Sequence, residues 1–330
     1  MIALIAEIGS VHDGSFGNAG KLIEGAAACG ATAVKFQTHI AEAETLPNAP
    51  MPAYFKGEPR MDYFRRTAFT EAQYRELASV AAAAGVQFIS SPFSLEAVDL
   101  LERLDMPLYK VPSGEVSNLP LLERLAAIGK PVLLSSGMSD WRELDAAVAV
   151  LRAGGPLTVM QCSSLYPCPP ERVGLNVMRE MAARYGLPVG LSDHTLGPAA
   201  AFAAAALGAV VIEKHFTFSR LMYGSDARHS MEPDEFRALA AGLREVSAMT
   251  EGPVDKADAS AYAEMKVIFE KSIVLARGLP AGAMLTRGDL TFKKPGDGIP
   301  ASNHALVTGR TLAVTRPANH QLAWSDLQAL

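Results

Sequence analysis

Short apolar runs alternate with amphipathic or alanine-rich stretches along residues 1–250. Eight of these runs are four to six residues long and rich in aliphatic side chains, which is typical of buried parallel strands. The predicted strands are Leu4–Ile8, Ala33–Gln37, Gln87–Ser91, Leu108–Pro112, Val132–Ser135, Thr158–Cys162, Pro188–Leu191 and Ala209–Lys214. The predicted helices are Ala19–Cys29, Glu71–Ala84, Ser94–Arg103, Leu119–Ala127, Trp141–Ala153, Leu175–Tyr185, Pro198–Leu207 and Pro233–Met249.

Eight strand-then-helix units of this length predict an α/β fold of the (β/α)8 barrel type over residues 1–250. An open doubly wound sheet is the alternative, but no GxGxxG pattern opens its first turn. Glycines end several helices, where a left-handed cap is expected before the next strand. These glycines are Gly30, Gly85, Gly129, Gly154 and Gly208.

Two segments do not follow this alternation of short strands and helices. Residues 39–70, after the second strand, are rich in Pro, Met and aromatic side chains, and a loop this long at the active face of a barrel is usually functional. Residues 251–269 are expected to form a polar linker with a helical start, and residues 270–330 a small second domain. We expect strands at Ser272–Ala276, Phe292–Lys294 and Thr311–Val314, with a helical turn at Thr286–Leu290 that Thr286 caps. Another short helical turn is expected within Gln321–Leu330.

The composition narrows the class of protein. The net charge is −5 and no basic tract occurs, so we expect no nucleic-acid partner, although a small anion could bind a locally basic pocket. No stretch is apolar enough for a membrane span, and the first seven residues lack the basic start of a secretory signal. Three cysteines without CxxC spacing argue against a disulfide framework and fit a reducing cytoplasm.

Two histidines follow the last two predicted strands of the barrel. His194 stands in Ser192-Asp193-His194-Thr195 and His215 in Glu213-Lys214-His215-Phe216. Imidazoles at the same ends of neighbouring parallel strands can bind one divalent metal ion. The alternative is that each imidazole only caps its strand through a backbone hydrogen bond. His229 is a weaker third candidate ligand.

Polar side chains gather at the carboxyl ends of the other strands, where barrel enzymes carry their chemistry. Lys35 and Gln37 are two residues apart and therefore share one face of their strand, and another strand carries Lys110. A buried lysine needs a negative partner, so two inward lysines beside several hydroxyl groups indicate a phosphate or carboxylate site. The hydroxyl groups belong to Ser91, Ser113, Ser135, Ser164 and Tyr166. The alternative is that both lysines pair internally with Glu7, Glu115 and Glu213.

Carboxylates also lie near the candidate metal ligands. Glu7, Glu115, Asp193 and Asp226 could move protons next to a metal that activates water or polarises an aldehyde. Asp193 could equally be a helix cap. No GxSxG pattern occurs, so a serine-hydrolase elbow is not expected.

Seven motifs together, in this order, resemble the sialic acid synthase family over nearly the whole chain. They are Ile5-Ala6-Glu7-Ile8-Gly9, Val34-Lys35-Phe36-Gln37-Thr38, Ser90-Ser91-Pro92-Phe93, Tyr109-Lys110-Val111-Pro112-Ser113-Gly114-Glu115, Leu134-Ser135-Ser136-Gly137-Met138, Leu191-Ser192-Asp193-His194-Thr195 and Glu213-Lys214-His215-Phe216-Thr217. Lys294-Pro295-Gly296 resembles the antifreeze-like (SAF) domain that follows the barrel in this family. The resemblance therefore implies a (β/α)8 TIM barrel followed by an SAF domain.

The family condenses phosphoenolpyruvate with an N-acylated hexosamine, such as N-acetylmannosamine or a 2,4-diacetamido-6-deoxyhexose, to a nine-carbon 2-keto acid and phosphate. The resemblance implies that His194 and His215 hold a divalent metal, expected to be manganese, with magnesium and cobalt as alternatives. It implies catalytic roles for Glu7, Glu115 and Asp226, and sugar contacts from Asp226 and Lys294. It also implies a domain-swapped homodimer. The residues implied to bind phosphoenolpyruvate are Lys35, Gln37, Ser91, Lys110, Ser113, Ser135, Ser164 and Tyr166.

The sequence departs from the family at three points. Val11-His12 stands where many members have Asn-His, Ser164 where some have Asn, and Lys294 where an arginine often contacts the acyl group. These departures leave the sugar open among sialic, legionaminic, pseudaminic and related acids. Two other functions compete: a metal-dependent or Schiff-base aldolase with Lys110 as the imine lysine, and a non-catalytic barrel scaffold.

Overall fold

The computed structural model describes residues 2–50 and 58–329, and it divides the chain into two compact units, residues 1–252 and 253–330. In the first unit, eight strands form a closed parallel barrel in chain order. They are β1 Ala3–Gly9, β2 Ala33–Thr38, β3 Gln87–Pro92, β4 Tyr109–Val111, β5 Val132–Ser135, β6 Leu157–Cys162, β7 Val189–Asp193 and β8 Val211–His215. The helices of this unit are α1 Phe16–Ala28, α2 Ala41–Glu44, α3 Arg60–Thr67, α4 Glu71–Ala83, α5 Leu95–Arg103, α6 Leu119–Ile128, α7 Trp141–Arg152, α8 Leu175–Tyr185, α9 Ala199–Ala206 and α10 Pro233–Glu251. The predicted barrel is confirmed.

Local capping chemistry defines several of these helices. Thr70 starts α4 with a capping box, in which its side chain accepts from the Gln73 amide while the Gln73 side chain accepts from the Thr70 amide. Ser94 caps α5 by accepting from the Ala97 amide. Four of the five helix-ending glycines have the expected positive φ, between +76° and +96°. Gly154 does not, and its Cβ would lie 2.2 Å from the Ala126 carbonyl oxygen, so close backbone approach requires glycine there.

Side chains of the barrel strands point either outward to the helices or inward to the barrel interior, and the inward ones form two layers. Outward-facing side chains of the strands pack against the helices in one large apolar core. The inward-facing side chains near the amino ends of the strands form a separate apolar layer, which we call the floor: Ile5, Ala33, Ile89, Leu133, Met160 and Val211. Two residues further along the same strands, most inward positions become polar. We call these positions the rim, together with Lys110 of β4: Glu7, Lys35, Ser91, Lys110, Ser135, Cys162 and Glu213. The floor therefore closes the barrel directly beneath the rim.

The predicted functional loop 39–70 contains two helices, α2 and α3, in its described part, and residues 51–57 lie outside the described residues. In the described parts of the chain, no helix has the combined length and apolar character that crossing a membrane demands.

The second unit has a small core of its own. Helix α11 Ala263–Phe269 lies within the predicted linker, and α12 is His304–Val307. Strands β9 Ser272–Leu275 and β10 Leu290–Lys293 pair antiparallel. Thr286 caps the turn Arg287–Asp289 as predicted. The predicted strand Thr311–Val314 is reduced to two isolated bridges, Met284 to Thr311 and Leu312 to Leu327, and the predicted final turn is Trp324–Asp326. The core contains Ile273, Leu275, Leu279, Leu285, Leu290, Ile299, Val307, Leu312, Leu322 and Leu327.

Candidate active site

A cavity of about 460 Å³ opens at the carboxyl ends of the barrel strands. It is lined by rim residues and by side chains of the loops that follow the strands. Eleven of the predicted site residues line it: Glu7, Lys35, Gln37, Lys110, Ser113, Ser135, Ser164, Tyr166, His194, His215 and Asp226. The alternation of side chains along eight parallel strands brings these residues together although they span most of the first unit.

Two buried lysines form the bottom of this cavity. Lys35 Nζ lies 2.8 Å from Glu7 Oε2 and donates to Ser91 Oγ at 3.2 Å. Lys110 Nζ lies 3.2 Å from Glu213 Oε1 and donates to Ser135 Oγ at 2.7 Å. The alternative of internal pairing is therefore correct for both lysines, with Glu7 and Glu213 as partners. Since both ammonium groups also line the cavity, internal pairing and anion binding are compatible.

The pKa values of the two rim glutamates, Glu7 and Glu213, are shifted in opposite directions. Burial raises the pKa of Glu7, and the neighbouring Glu213 charge raises it further, against the opposing effect of Lys35. Burial also acts on Glu213, but Lys110 and Lys35 outweigh it and hold the pKa of Glu213 at about 2. A pair of acids whose pKa values are driven apart is typical of a site that separates charge stabilisation from proton transfer. In this pair Glu213 is the permanent anion and Glu7 the group able to exchange a proton.

His194 and His215 face each other across the cavity, with ring centroids 5.4 Å apart. His194 Nδ1 lies 2.7 Å from the Ser163 carbonyl oxygen and donates to it, so in the neutral ring the free lone pair is on Nε2. Burial lowers the pKa of His215 to about 4, against the attraction of Asp226, so its imidazole is neutral at pH 7. His215 Nδ1 is buried and has no hydrogen-bond partner in residues 2–50 and 58–329. An orphaned imidazole nitrogen beside a second free one fits a divalent metal.

The metal-binding capacity of the protein itself is limited. Within the described ranges, no cluster of three or more His, Cys, Asp or Glu side chains is placed to hold one ion. His229, the weaker candidate, lines the cavity and faces Tyr166, with ring centroids 6.4 Å apart. A metal at this site would thus have two protein ligands and open positions for water and substrate.

Asp226 reaches the cavity from the loop after β8. Its Oδ2 accepts from the Ser10 amide at 3.3 Å and the Ser10 hydroxyl at 3.2 Å. Burial opposes ionisation, but His215 and these hydrogen bonds hold the pKa of Asp226 below its usual range. Gly9 has φ +51°, and its Cβ would lie 2.6 Å from Asp226 Oδ2, so this contact requires glycine.

The remaining predicted residues take different places. Tyr166 packs on His194 with ring centroids 4.1 Å apart. Ser164 Oγ and Glu213 Oε2 are buried without a hydrogen-bond partner in the described chain, as expected of groups that meet a ligand. Ser91 lies beneath Lys35. Glu115 accepts from Asn118 Nδ2 at 2.7 Å in the turn after β4, and burial raises its pKa.

Lys294 belongs to the second unit, where its ammonium group lies over the Phe269 ring at 4.9 Å.

The sequence analysis named Glu213 only as a possible partner of the lysines and assigned no role to Ser192, although both line the cavity. Each is two residues before a predicted ligand histidine and therefore on the same strand face, a signal that period-two alternation could have given. His39, Phe64 and Phe93 form one wall of the cavity, and no motif singled out this grouping.

Fold and site together define a (β/α)8 barrel protein whose strand ends enclose a cavity lined by two buried lysines and two histidines. The sequence profile of the NeuB family matches residues 22–255, and that of the SAF domain matches residues 270–328. The chain therefore belongs to the NeuB family and is an enzyme of that family, and it carries an SAF domain.

Individual relatives agree with this assignment. The chain is 35% identical to the N,N'-diacetyllegionaminic acid synthase of Campylobacter jejuni, covering 93% of this chain and 94% of that protein. It is 33% identical to the human N-acetylneuraminate-9-phosphate synthase, covering 94% and 89%. The crystal structure of the N-acetylneuraminic acid synthetase of Leptospira borgpetersenii in complex with citrate is similar, with TM-score 0.71 and 26% identity over 80% of this chain and 90% of that one.

Proposed function

We propose that this enzyme condenses phosphoenolpyruvate with an N-acylated hexosamine to a nine-carbon 2-keto sugar acid and phosphate, with cleavage of the C–O bond, in a metal-dependent reaction. The observation that carries the proposal is that two buried lysines, two glutamates with oppositely shifted pKa values and two histidines converge on one cavity. Relatives named as legionaminic, N-acetylneuraminate-9-phosphate and pseudaminic acid synthases support the reaction class.

The lysines bind and orient the anionic substrate. Lys35 and Lys110, with Ser113, Ser135, Ser164 and Tyr166, surround the part of the cavity where phosphate and carboxylate groups would lie. Both ammonium groups are already desolvated and held by Glu7 and Glu213, so little reorganisation is needed when the substrate arrives. Their charge stabilises the phosphate as it departs.

His194 and His215 would hold the metal, for which we propose manganese. When bound, this ion supplies Lewis acidity toward the sugar aldehyde. The acids of this chain divide the proton transfers. We assign the exchange of protons with water and hydroxyl groups to Glu7, which lines the cavity and has a raised pKa, while the ionised Asp226 accepts hydrogen bonds from the sugar. Glu115 also has a raised pKa but does not line the cavity, so a direct catalytic role for it has less support.

The aldolase alternative requires Lys110 to give up its proton and form an imine. Its ammonium group lies 3.2 Å from Glu213, which stays ionised because of its low pKa. Lys110 Nζ donates to both Glu213 and Ser135 and does not stand free as a nucleophile, so the geometry supports the synthase over a Schiff-base mechanism.

We further propose that the enzyme acts as a cytoplasmic homodimer in which the SAF domain of one copy covers the cavity of the other and Lys294 contacts the sugar. Large exposed apolar side chains on α11, Met265, Ile268 and Phe269, support an additional contact surface on this unit. Three buried free cysteines fit a reducing compartment.

The test is phosphate release from phosphoenolpyruvate with a panel of acceptors that includes N-acetylmannosamine and 2,4-diacetamido-6-deoxyhexoses, each with manganese and with chelator. We expect release that depends on the sugar and is abolished by chelator. Imine trapping by borohydride is run in parallel, and a trapped adduct would favour the aldolase. Sugar-independent or chelator-resistant release would contradict the proposal.

A further inference from the structure

A buried lysine and a buried aspartate meet between β7 and β8, outside the cavity. Asp193 ends β7, and Lys214 lies opposite it on β8 in the register of the two strands. Both residues are at most 2% exposed, and Lys214 Nζ lies 2.7 Å from Asp193 Oδ2. Ser192 and Glu213, one residue earlier on each strand, line the cavity, so strand alternation directs the pair to the outer side of the barrel. The reaction proposed above uses neither residue.

The lysine also holds the turn that follows β7. Lys214 Nζ lies 2.5 Å from the Thr195 carbonyl oxygen, 3.1 Å from Thr195 Oγ1 and 2.9 Å from the Gly197 carbonyl oxygen. Asp193 Oδ1 accepts from the Thr195 amide at 2.8 Å. We call this group of contacts the Lys214–Asp193 clamp. Because it binds the chain immediately before and immediately after His194, it fixes the backbone from which that imidazole projects.

The clamp is also joined to the second histidine of the cavity. His215 directly follows Lys214 and ends β8. The His215 carbonyl oxygen accepts from the Met231 amide at 2.9 Å, and the His194 carbonyl oxygen accepts from the Cys168 amide at 2.9 Å. Each histidine backbone is thus held by its own neighbour in the fold, and Lys214 links the one to the other.

Stability alone does not call for a charged pair at this place. The preceding outward pair of the same strands, Leu191 and Ile212, is apolar and fully packed, and apolar residues of similar volume are often as stabilising as a buried ion pair. An apolar side chain at position 214 could not bind the carbonyl oxygens of Thr195 and Gly197. The purely structural alternative is that Lys214 only satisfies these oxygens, and its loss would then lower stability without a specific effect on the histidines.

We propose that Lys214 and Asp193 are positioning residues, which hold His194 and His215 at the spacing that a shared metal ion requires. This inference rests on the metal site of the proposed function. The ring centroids of the two histidines are 5.4 Å apart, and with only two proposed protein ligands their spacing depends on the backbone that carries them. A rigid supporting layer keeps ligands in the binding arrangement before the ion arrives, so its loss weakens metal binding although both imidazoles remain.

The test measures manganese binding to the full chain without substrate, by electron paramagnetic resonance, beside thermal unfolding. Lys214→Met keeps the length of the side chain and removes its donors, and we expect manganese binding to weaken by about tenfold to a hundredfold. The matched control is Thr38→Val, which removes the 2.7 Å hydrogen bond between Thr38 and Ser90, a buried outer pair of β2 and β3. We expect this control to lower the melting temperature and to leave manganese affinity within about twofold of the wild type.

A double variant separates positioning from stability. Lys214→Met alone leaves Asp193 buried without its cation, which is strongly destabilising, whereas Lys214→Met with Asp193→Asn removes both charges and keeps a side-chain oxygen for the Thr195 amide. We expect the double variant to regain most of the lost stability and still to bind manganese at least about tenfold more weakly than the wild type.

The possible outcomes separate this inference from the metal assignment on which it rests. If manganese affinity returned to the wild-type value together with stability in the double variant, the pair would be purely structural and the inference wrong. Equal weakening of manganese binding in Thr38→Val would also contradict it, because any loss of stability would then have the same effect. A wild-type protein that bound no manganese would refute the metal assignment itself, and the positioning role with it.

Discussion

The floor and the rim of the barrel are two residues apart on the same strands, yet the floor is apolar and the rim is mostly polar or charged. Ile5, Ile89 and Val211 of the floor are at most 4% exposed and contact other apolar side chains. Glu7, Ser91 and Glu213 of the rim are equally buried but are polar or charged. Burying charge is costly even when it is paired, so the floor stabilises the barrel while the rim retains charge at a cost in stability. The barrel thus places its reactive groups on a rigid apolar base.

The largest effect is expected at the two histidines beside the rim. His215→Ala removes one of the two proposed metal ligands and leaves His194 as the other. We expect manganese binding, measured by calorimetry, and phosphate release both to disappear, while the melting temperature stays within a few degrees because the floor is intact. Normal activity in His215→Ala would contradict the metal assignment.

A charged rim residue should affect both stability and binding. Lys110→Met leaves Glu213 buried beside Lys35 without its nearer partner. We expect a loss of about 3–5 kcal/mol in unfolding free energy, as for one broken buried pair, and loss of phosphoenolpyruvate binding. Urea unfolding and calorimetry measure the two.

The double variant Lys110→Met with Glu213→Gln sharpens this prediction. Because it removes both charges, most of the stability should return while binding stays lost. If the double variant were as unstable as the single one, repulsion from an unpaired carboxylate would not be the cause.

A substitution in the floor should lower stability and leave turnover nearly unchanged. Ile5→Ala opens a cavity in the apolar layer and should cost about 2–5 kcal/mol of stability. At 25 °C and saturating substrate, kcat should change less than about twofold, because no polar partner is lost. A large fall in kcat without a fall in stability would show that floor and rim are not separable.

The features that could be predicted from the sequence are those determined by residues close together in the chain. Strand alternation and glycine caps are local, so the eight barrel strands were predicted to within two residues at their ends. Lys35, Lys110, His194 and His215 were found because each lies within or shortly after a recognisable apolar run.

Longer-range relations were not visible in the sequence. Closure of the barrel places β8 across the interior from β4, and this determines which acid pairs with Lys110. The sequence alone left three carboxylates as possible partners. The ring stack of His39 joins segments more than 50 residues apart in the chain, from His39 to Phe93. Gly154 failed as a left-handed cap because its need for glycine arises from contact with Ala126 rather than from its own helix end.

The smallest effects give the sharpest comparison, because one strand offers a matched pair. Ile89→Val and Ser91→Ala each remove one heavy atom from an inward, fully buried position of β3. Ile89→Val should cost about 0.5–1.5 kcal/mol of stability and leave phosphoenolpyruvate affinity unchanged. Ser91→Ala removes the acceptor of the 3.2 Å hydrogen bond from Lys35, so the ammonium group is held less firmly.

We expect Ser91→Ala to weaken phosphoenolpyruvate binding by about fivefold to tenfold, the usual net contribution of one hydrogen bond, with a stability change no larger than that of Ile89→Val. Calorimetry and thermal unfolding on both variants make the comparison. If the two substitutions changed the affinity for phosphoenolpyruvate equally, the boundary between floor and rim would not lie between positions 89 and 91. The two-residue repeat of the strand would then not separate stability from chemistry in this barrel.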